Sequence, residues 1–391
     1  MHLTGTVKDD VKSILSKIQT KENLLALLNA VKQVIEKPKE GKSFQPIELQ
    51  ELTFFADQRL SGSIRYRSFS IKKKNGTERV ISTPIRQLKQ IQQLIATILS
   101  TTYEPANSVN GFVPLRSIVD NARPHVGKRF VYNVDLKDFF PSIQQQRVKT
   151  VLTLPPFNLS GDREPIAYLI ARLCCIKHPD NTTSLPQGAP TSPLLSNIIC
   201  QQLDRRLGGL SKRFGAVYTR YADDITFSAE ANIFHGSFEK EMRRIVDSQR
   251  FIINQSKVRM QGQGYRQEVT GLTVNVKANV SKHYIGSVRA MLHNWQKLGY
   301  EQAEAIFKIH YSNDKGHVKP GKPILTHVLH GKLNYLRMVR GAEDPLFKRY
   351  WLQFETLAGR KPVDPLAKLE KLLSLWESSG FNTASKDGTE D

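Results

Sequence analysis

Ala216-Val217-Tyr218-Thr219-Arg220-Tyr221-Ala222-Asp223-Asp224-Ile225-Thr226-Phe227-Ser228 is the stretch that decides how this chain reads. Ala216 to Arg220 forms a basic, strand-like run and Ile225 to Ser228 an apolar one; between them Tyr221-Ala222-Asp223-Asp224 sets two adjacent carboxylates on a tight turn. Paired aspartates joined by a third from elsewhere supply the hard oxygen ligands that Mg²⁺ prefers. Two such ions about 4 Å apart clamp the attacking and leaving oxygens of a phosphoryl transfer. The same four residues also read as a solvated Asp-Asp turn, so the surrounding sequence has to decide.

Upstream stands Val134-Asp135-Leu136-Lys137-Asp138-Phe139-Phe140-Pro141-Ser142-Ile143. Phe130 to Val134 reads as a buried strand ending in Asp135, which puts a carboxylate at a strand terminus. Taken alone, Asp135 serves equally well as the cap of the turn after the strand, but that reading leaves the downstream pair unexplained. Between the two lies Leu185-Pro186-Gln187-Gly188-Ala189-Pro190-Thr191-Ser192-Pro193-Leu194-Leu195-Ser196-Asn197. Its prolines and glycine make a rigid, non-helical lead-in, and the apolar run Leu194 to Leu203 predicts a buried helix.

In order and spacing, Asp-x-x-x-Phe-Phe, Pro-Gln-Gly-x-Pro-x-Ser-Pro and Tyr-x-Asp-Asp resemble the palm of reverse transcriptases of the bacterial, group II intron and retron branch. The resemblance implies an α+β right-hand polymerase fold: fingers, a palm of antiparallel sheet plus helices, and a helical thumb. Two further elements are similar to retron enzymes. Asn121-Ala122-Arg123-Pro124-His125 matches their Asn-Ala-x-x-His element between fingers and palm, and Val269-Thr270-Gly271 matches their Val-Thr-Gly element near the primer grip. By themselves, His125 also reads as a packed, satisfied histidine and Val269-Thr270-Gly271 as an ordinary strand end.

What the resemblance implies for the site follows residue by residue. Asp135, Asp223 and the main-chain oxygen of Leu136 would hold the metal that carries the triphosphate. Asp135 and Asp223 would share the second Mg²⁺, with Asp224 in support. Lys257 occupies the position of a lysine that protonates the leaving pyrophosphate; a plain surface lysine is the alternative. Phe140 stands where an aromatic ring lies under the sugar of the incoming nucleotide and collides with a 2′-hydroxyl, so the product would be DNA. Phe139 is expected to face the core, since neighbours in extended chain point oppositely. Gln187 and Gly188 would line the nucleotide pocket, the glycine permitting close backbone approach.

Asn75-Gly76 between the runs Tyr66 to Lys74 and Thr77 to Pro84 predicts a β-hairpin with a cationic tip. By the resemblance, Arg79 holds the triphosphate with Lys72 or Lys74 as partner; a solvated Lys-rich turn accounts for at least one of the lysines. Gly111-Phe112-Val113-Pro114-Leu115-Arg116-Ser117-Ile118 also resembles the family's fingers and is expected near the template strand.

The chain has 391 residues, 57 Lys and Arg against 36 Asp and Glu, and a formal net charge of +21, so its field attracts a polyanion such as nucleic acid. With 39% hydrophobic residues it can bury a sizeable core. No apolar run reaches the length of roughly 18 residues that a membrane span needs, and Met1 to Thr20 lacks a signal-like apolar core, so the expected location is the bacterial cytoplasm. Cys174, Cys175 and Cys200 lack metal-ligand spacing, and His178 adds too few ligands for a zinc site.

Lys8 to Glu36 predicts two short helices parted near Thr20, followed by a Pro- and Gly-containing linker, Lys37 to Ser43, and a helix over Glu48 to Ala56. The expected organisation is a helical extension over 1–45, fingers over 46–128, palm with an interleaved fingers segment over 129–279, helical thumb over 280–377 and a disordered tail over 378–391. Within the thumb, Lys282 to Gln296, Glu301 to Tyr311, His327 to Arg340 and Pro345 to Thr356 read as amphipathic helices suited to structured RNA, with Leu366 to Trp376 a final helix.

A retron resemblance implies a cognate non-coding RNA as both template and primer and synthesis from an internal guanosine 2′-hydroxyl. It further implies an RNA–DNA hybrid product, branched single-stranded DNA, and a partner effector protein in anti-phage defence. The sequence also admits two rival readings: a group II intron-like or other defence-associated reverse transcriptase, and a non-catalytic RNA-binding scaffold. Three mutually repelling carboxylates kept together argue against the scaffold.

Overall fold

The computed structural model describes residues 3, 5–36, 44–57, 59, 62–72, 76, 78–315 and 323–359. Lys74, the linker over 37–43, the helix over 366–376 and the tail over 378–391 lie outside them. The chain divides into two compact units, Met1–Ala278 and Asn279–Asp391.

The first unit opens with helices α1 (Gly5–Lys17), α2 (Lys21–Ile35), α3 (Leu49–Ala56) and α4 (Gly62–Arg65). The break near Thr20 has a local cause. Thr20 Oγ1 accepts from the Asn23 N–H at 3.2 Å while Asn23 Oδ1 accepts from the Thr20 N–H at 3.2 Å, a reciprocal cap that starts α2 afresh. Strands β1 (Tyr66–Lys72) and β2 (Glu78–Pro84) form the expected antiparallel hairpin, with Gly76 at φ +81°.

Helices α5 (Arg86–Ser100) and α6 (Ile118–Ala122) then lead into β3 (Phe130–Asp135). Next come α7 (Gln145–Thr153), α8 (Glu164–Cys174), the small pair β4 (Ile176–Lys177) and β5 (Thr183–Ser184), α9 (Ser192–Ile199) and α10 (Gln201–Arg213). Strands β6 (Val217–Tyr221) and β7 (Asp224–Ala229), helix α11 (Ser237–Ser248), strand β8 (Arg259–Gly262) and the pair β9 (Glu268–Val269) and β10 (Leu272–Thr273) complete the unit.

The central sheet has the order β6-β7-β3-β8, antiparallel throughout, so the strand carrying Asp135 lies between the acid hairpin and β8. Helix α10 packs on β6 and α11 on α10. Tyr132, Val134, Phe227, Phe238, Met242 and Leu203 are buried between sheet and helices. Each such side chain contributes roughly 1.5–3 kcal/mol of burial. Cys174, Cys175 and Cys200 are buried free thiols.

The single helix expected over Leu194 to Leu203 is two helices, α9 and α10, parted at Cys200, whose ψ of −3° departs from helical geometry. The bend lets Asn197 on one side and Asp204 on the other reach the same guanidinium, that of Arg220.

In the second unit, α12 (Lys282–Leu298), α13 (Tyr300–Lys315), α14 (Leu325–Arg340) and α15 (Pro345–Leu357) pack through Val288, Leu292, Leu329, Leu333, Leu336 and Phe354. Asp344 caps α15, accepting from the N–H groups of Leu346 and Phe347 at 3.0 and 3.2 Å, with Pro345 in the first turn. Trp295 and Tyr350 are buried, whereas Arg289, His293, Lys297, His327, Arg337, Lys348 and Arg349 are exposed. Among the described residues, no helix is long and apolar enough to cross a membrane.

Candidate active site

Strand register gathers the carboxylates. Asp135 pairs directly with Asp224 across β3 and β7, and Tyr221 pairs with Asp224 to close the β6–β7 hairpin over the two-residue loop Ala222-Asp223. Ala222 takes φ +58° and Asp223 does not go positive, the pattern of a type II′ turn, whose twist suits paired strands. A residue with a Cβ at positive φ costs roughly 1–3 kcal/mol, so the surroundings must hold Ala222 there.

Two features do. Arg220, fully buried, donates from Nη1 to the Ala222 carbonyl at 3.0 Å and to Asn197 Oδ1 at 3.1 Å. Its Nε and Nη2 donate to Asp204 Oδ1 and Oδ2, both at 2.7 Å, and the Tyr218 hydroxyl donates to Asp204 Oδ1 at 2.6 Å. On the other side, Gly111 lies flat against the turn. A Cβ at Gly111 would sit 2.3 Å from Ala222 N and 2.9 Å from Tyr221 C, so any other residue there forces the acid hairpin to move. Asn197 Nδ2 donates to the Gly111 carbonyl at 2.8 Å, which ties both supports to one network. The segment expected near the template thus packs, through Gly111, on the acid hairpin.

Asp135 is 6% exposed and doubly held: Lys257 Nζ donates to Oδ2 at 2.8 Å and Asn254 Nδ2 to Oδ1 at 3.1 Å. The Asn254 N–H also donates to the Asp135 carbonyl at 2.8 Å, and the Lys137 N–H to the Ile252 carbonyl at 2.8 Å. These two bonds flank Leu136, whose own N–H and carbonyl therefore turn to the opposite edge, where the N–H meets the Asp223 carbonyl at 3.0 Å. Lys257, expected as a proton donor or a surface lysine, is here the counter-ion of the strand-end carboxylate.

Among the described residues, Asp223 and Asp224 have no such partner. Burial, with the Asp135 charge, pushes the Asp223 carboxyl above the usual range, against the pull of Lys257 and Arg79. Burial and the charges of Asp223 and Asp135 push Asp224 up to about 6. Asp224 keeps more than a third of its surface in solvent, which screens part of that repulsion. Asp135, Asp223 and Asp224 repel one another, with Lys257, Arg79 and Arg259 offsetting part of that charge, and among the described residues no three His, Cys, Asp or Glu side chains already stand in an arrangement that could hold a metal ion. Hard oxygen donors of this kind are those that divalent cations such as Mg²⁺ take.

Asp135, Asp224, Lys257, Arg259, Thr270 and Gly271 line one cavity. Thr270 and Gly271, at φ +46° and +81°, make the two-residue turn between β9 and β10, with Val269 buried and paired to Leu272. A β-branched residue in left-handed geometry is uncommon; here Thr270 Oγ1 lies 3.4 Å from the Ile118 carbonyl.

The other sequence-derived residues fall around this centre. His125 is buried, with Nδ1 2.7 Å from Ser228 Oγ and Nε2 2.8 Å from Thr219 Oγ1, so one imidazole spans β7 and β6. Burial lowers its pKa to about 3 and keeps it neutral. Asn121 and Ala122 are fully buried, and Asn121 Oδ1 accepts from Asn110 Nδ2 at 3.2 Å. The Asn-Ala-x-x-His element thus braces the acid hairpin from behind.

Gln187 and Gly188 meet β2: the Ser82 N–H donates to the Gln187 carbonyl at 2.8 Å, and Gly188, at φ +125°, leaves a Cβ only 2.9 Å from Ile81 Cγ2. Arg79 shares a face of the hairpin with Ile81, being opposite Ile71 as Ile81 is opposite Phe69. Lys72, opposite Glu78, lies on the other face, so the register separates it from Arg79 rather than pairing the two on one triphosphate.

Phe139 is buried and stacks on Phe251 at 5.7 Å, while Phe140 is half-buried against Phe112 at 5.9 Å. Their divergence arises in a turn, with Asp138 at φ +46°, and not from alternation in extended chain. Sequence reasoning missed Gly111, Asn197, Asp204, Arg220 and Asn254. The available signal was Arg220, a charge inside a buried-strand pattern that demands a buried partner.

Residues 71–286 match the family described as reverse transcriptase (RNA-dependent DNA polymerase). The chain is 38% identical over 251 residues to the retron Mx65 reverse transcriptase of Myxococcus xanthus, covering 61% of this chain and 58% of that one. It is 34% identical over 284 residues to the Myxococcus xanthus retron Mx162 reverse transcriptase, covering 64% and 57%. It is 34% identical over 238 residues to the retron Ec86 reverse transcriptase of Escherichia coli, covering 60% and 71%. The chain thus spans less than three fifths of the two Myxococcus relatives' length.

Proposed function

The chain belongs to the reverse transcriptases of the retron type, and from that premise we propose that it copies a cognate non-coding RNA into branched single-stranded DNA, starting from an internal guanosine 2′-hydroxyl. The observation that carries the reading is the convergence of Asp135, Asp223 and Asp224, set by strand register in a chain of this family. A scaffold that only binds RNA has no use for that repulsion. The product would leave as an RNA–DNA hybrid, and an effector protein in anti-phage defence is the further partner proposed. The bacterial cytoplasm is the proposed location.

Asp135, Asp223, Asp224 and the Leu136 carbonyl would hold two Mg²⁺ ions. When bound, these supply charge neutralisation at the transferring phosphoryl group and a more acidic primer hydroxyl. The chain's own contribution is alignment. The Arg220–Asn197–Gly111 network fixes the height of Asp223, and Asn254 and Lys257 fix the rotamer of Asp135. Arg79, close enough to pull the Asp223 carboxyl down, would meet triphosphate oxygens. Lys257, paired with Asp135 at 2.8 Å, would release a proton toward pyrophosphate. Phe140 would bar a 2′-hydroxyl, with Gln187 and Gly188 beside the nucleotide. The fingers, palm and thumb would be 46–128, 129–279 and 280–377, and the exposed cations of the second unit would contact RNA phosphates and 2′-hydroxyls.

The test is to purify the protein with its bound nucleic acid, sequence that material and assay it for a 2′,5′-branched linkage, with Asp223→Asn in parallel. The reading expects branched RNA–DNA from the unaltered chain and RNA alone from the variant. Extension of annealed primers without any branched product would reduce the protein to a general reverse transcriptase. Synthesis by Asp223→Asn near the unaltered rate would remove the assigned centre.

A further inference from the structure

Phe112 has an unusual position for an exposed aromatic residue. It keeps 43% of its surface in solvent and adopts φ +61°, a left-handed conformation that a residue with a Cβ takes only when its surroundings impose it. Leu115, three residues on, is at φ +63° and fully exposed, so burial of its own side chain does not hold it there, and Phe112 buries little more than half of its surface. What imposes the geometry is the preceding pair. The Asn110 N–H donates to the Arg220 carbonyl at 2.8 Å, and Gly111 is pressed on the Tyr221–Ala222 backbone with its carbonyl tied to Asn197.

The chain therefore leaves the acid hairpin at Gly111 with its direction set, and the next side chain projects onto Phe140. The two rings are 5.9 Å apart, tilted by 41°. Phe140 has a second aromatic neighbour, Phe139 at 5.3 Å, which is immobilised in the core against Phe251. Phe140 is thus bounded by one fixed wall and by Phe112.

We infer that Phe112 is a positioning residue for sugar selection: anchored through Gly111 to the hairpin of Asp223 and Asp224, it sets where the Phe140 ring stands relative to the catalytic carboxylates. A gate discriminates against a hydroxyl only if its ring cannot retreat, because selectivity is the difference between two transition-state affinities and any ring movement lowers it. This inference rests on the reading of Phe140 as the sugar gate.

The test is single-nucleotide extension of an annealed primer–template, comparing kcat/KM for a deoxyribonucleotide with that for the matching ribonucleotide in Phe112→Ala, Phe112→Tyr, Phe140→Ala and the double Ala variant. The ratio is taken within one preparation, so the fraction of folded enzyme cancels and a purely structural loss leaves it unmoved. Phe112→Ala should lower the ratio about tenfold, and Phe112→Tyr, which restores the ring, should stay within about twofold of the unaltered protein. The double variant should be no less selective than Phe140→Ala alone, since both act through one ring. Unchanged selectivity in Phe112→Ala, with selectivity lost in Phe140→Ala, overturns the inference and leaves the gate standing. Unchanged selectivity in Phe140→Ala overturns the gate, and this inference with it.

Discussion

Asp204 and Arg220 form a two-point ion pair, 2.7 Å at each contact, with both side chains withdrawn from solvent directly beneath the Tyr221–Asp224 turn. Arg220 has donors left for the Ala222 carbonyl and Asn197, so the pair is the base on which the acid hairpin stands. Its worth lies less in net attraction than in what each partner costs when left alone, because an unpaired buried charge has no water to replace the missing ligand.

Breaking this pair from one side should therefore be severe. Asp204→Asn is expected to lower unfolding free energy by about 3–5 kcal/mol, read from urea denaturation at constant slope. The double change Asp204→Leu with Arg220→Met should recover much of that loss while leaving Ala222 unsupported and synthesis impaired. Equal stability of Asp204→Asn and the unaltered chain would show that the pair does not carry the hairpin.

Gly111→Ala tests the close approach. A Cβ 2.3 Å from Ala222 N cannot be absorbed by a side-chain rotation, since the obstacle is backbone. We expect nucleotide addition to fall by about 100-fold or more, the scale of a displacement near 1 Å at a catalytic group. Nucleic-acid affinity, measured by filter binding, should change little.

The charge excess at the centre gives a metal-linked stability. Asp224 has its carboxyl raised to about 6, so its native form holds a proton that the unfolded chain has released. The associated cost is absent below the ordinary carboxylate range, grows as pH rises toward 6, and remains fully present above it. At pH 7.5 without divalent cations, Asp224→Asn should melt about 2 °C higher than the unaltered protein, a figure kept small because the group is partly solvated. Adding Mg²⁺ should raise the melting temperature of the unaltered protein more than that of the variant. A variant that melts lower without metal contradicts the repulsion.

His125 gives the opposite slope. Its folded pKa of about 3 lies below the ordinary 6.5, so as pH falls through 6.5 the unfolded chain takes up a proton that the native imidazole, shared by Ser228 and Thr219, cannot accept. Stability should fall by about 1.4 kcal/mol per pH unit from this group between pH 6.5 and 5. In His125→Gln that part of the slope should disappear, whatever the variant's absolute stability. Parallel curves for the two proteins would place the histidine's proton elsewhere.

Motif order was legible in the sequence because each motif is local: Phe130 to Asp135 as a strand, the hairpin over Tyr221 to Asp224 and the turn at Gly76 all follow from a few adjacent residues. Amphipathic spacing likewise marked the four helices of the second unit, though with their ends shifted by up to four residues. The sequence by itself determined which family the chain resembles and which residues are the candidates for its chemistry. Only the tertiary structure decided what holds them. Arg220 and Asp204 are sixteen residues apart, Gly111 and Ala222 more than a hundred, and Lys257 and Asp135 likewise. Contacts of that span depend on how strands register and how the chain bends at Cys200, neither of which any local pattern encodes. The Lys72 face, the bent helix and the turn beneath Phe140 differ from the sequence reading for the same reason: direction in space is set by pairing and packing, and sequence spacing fixes it only within an unbroken element.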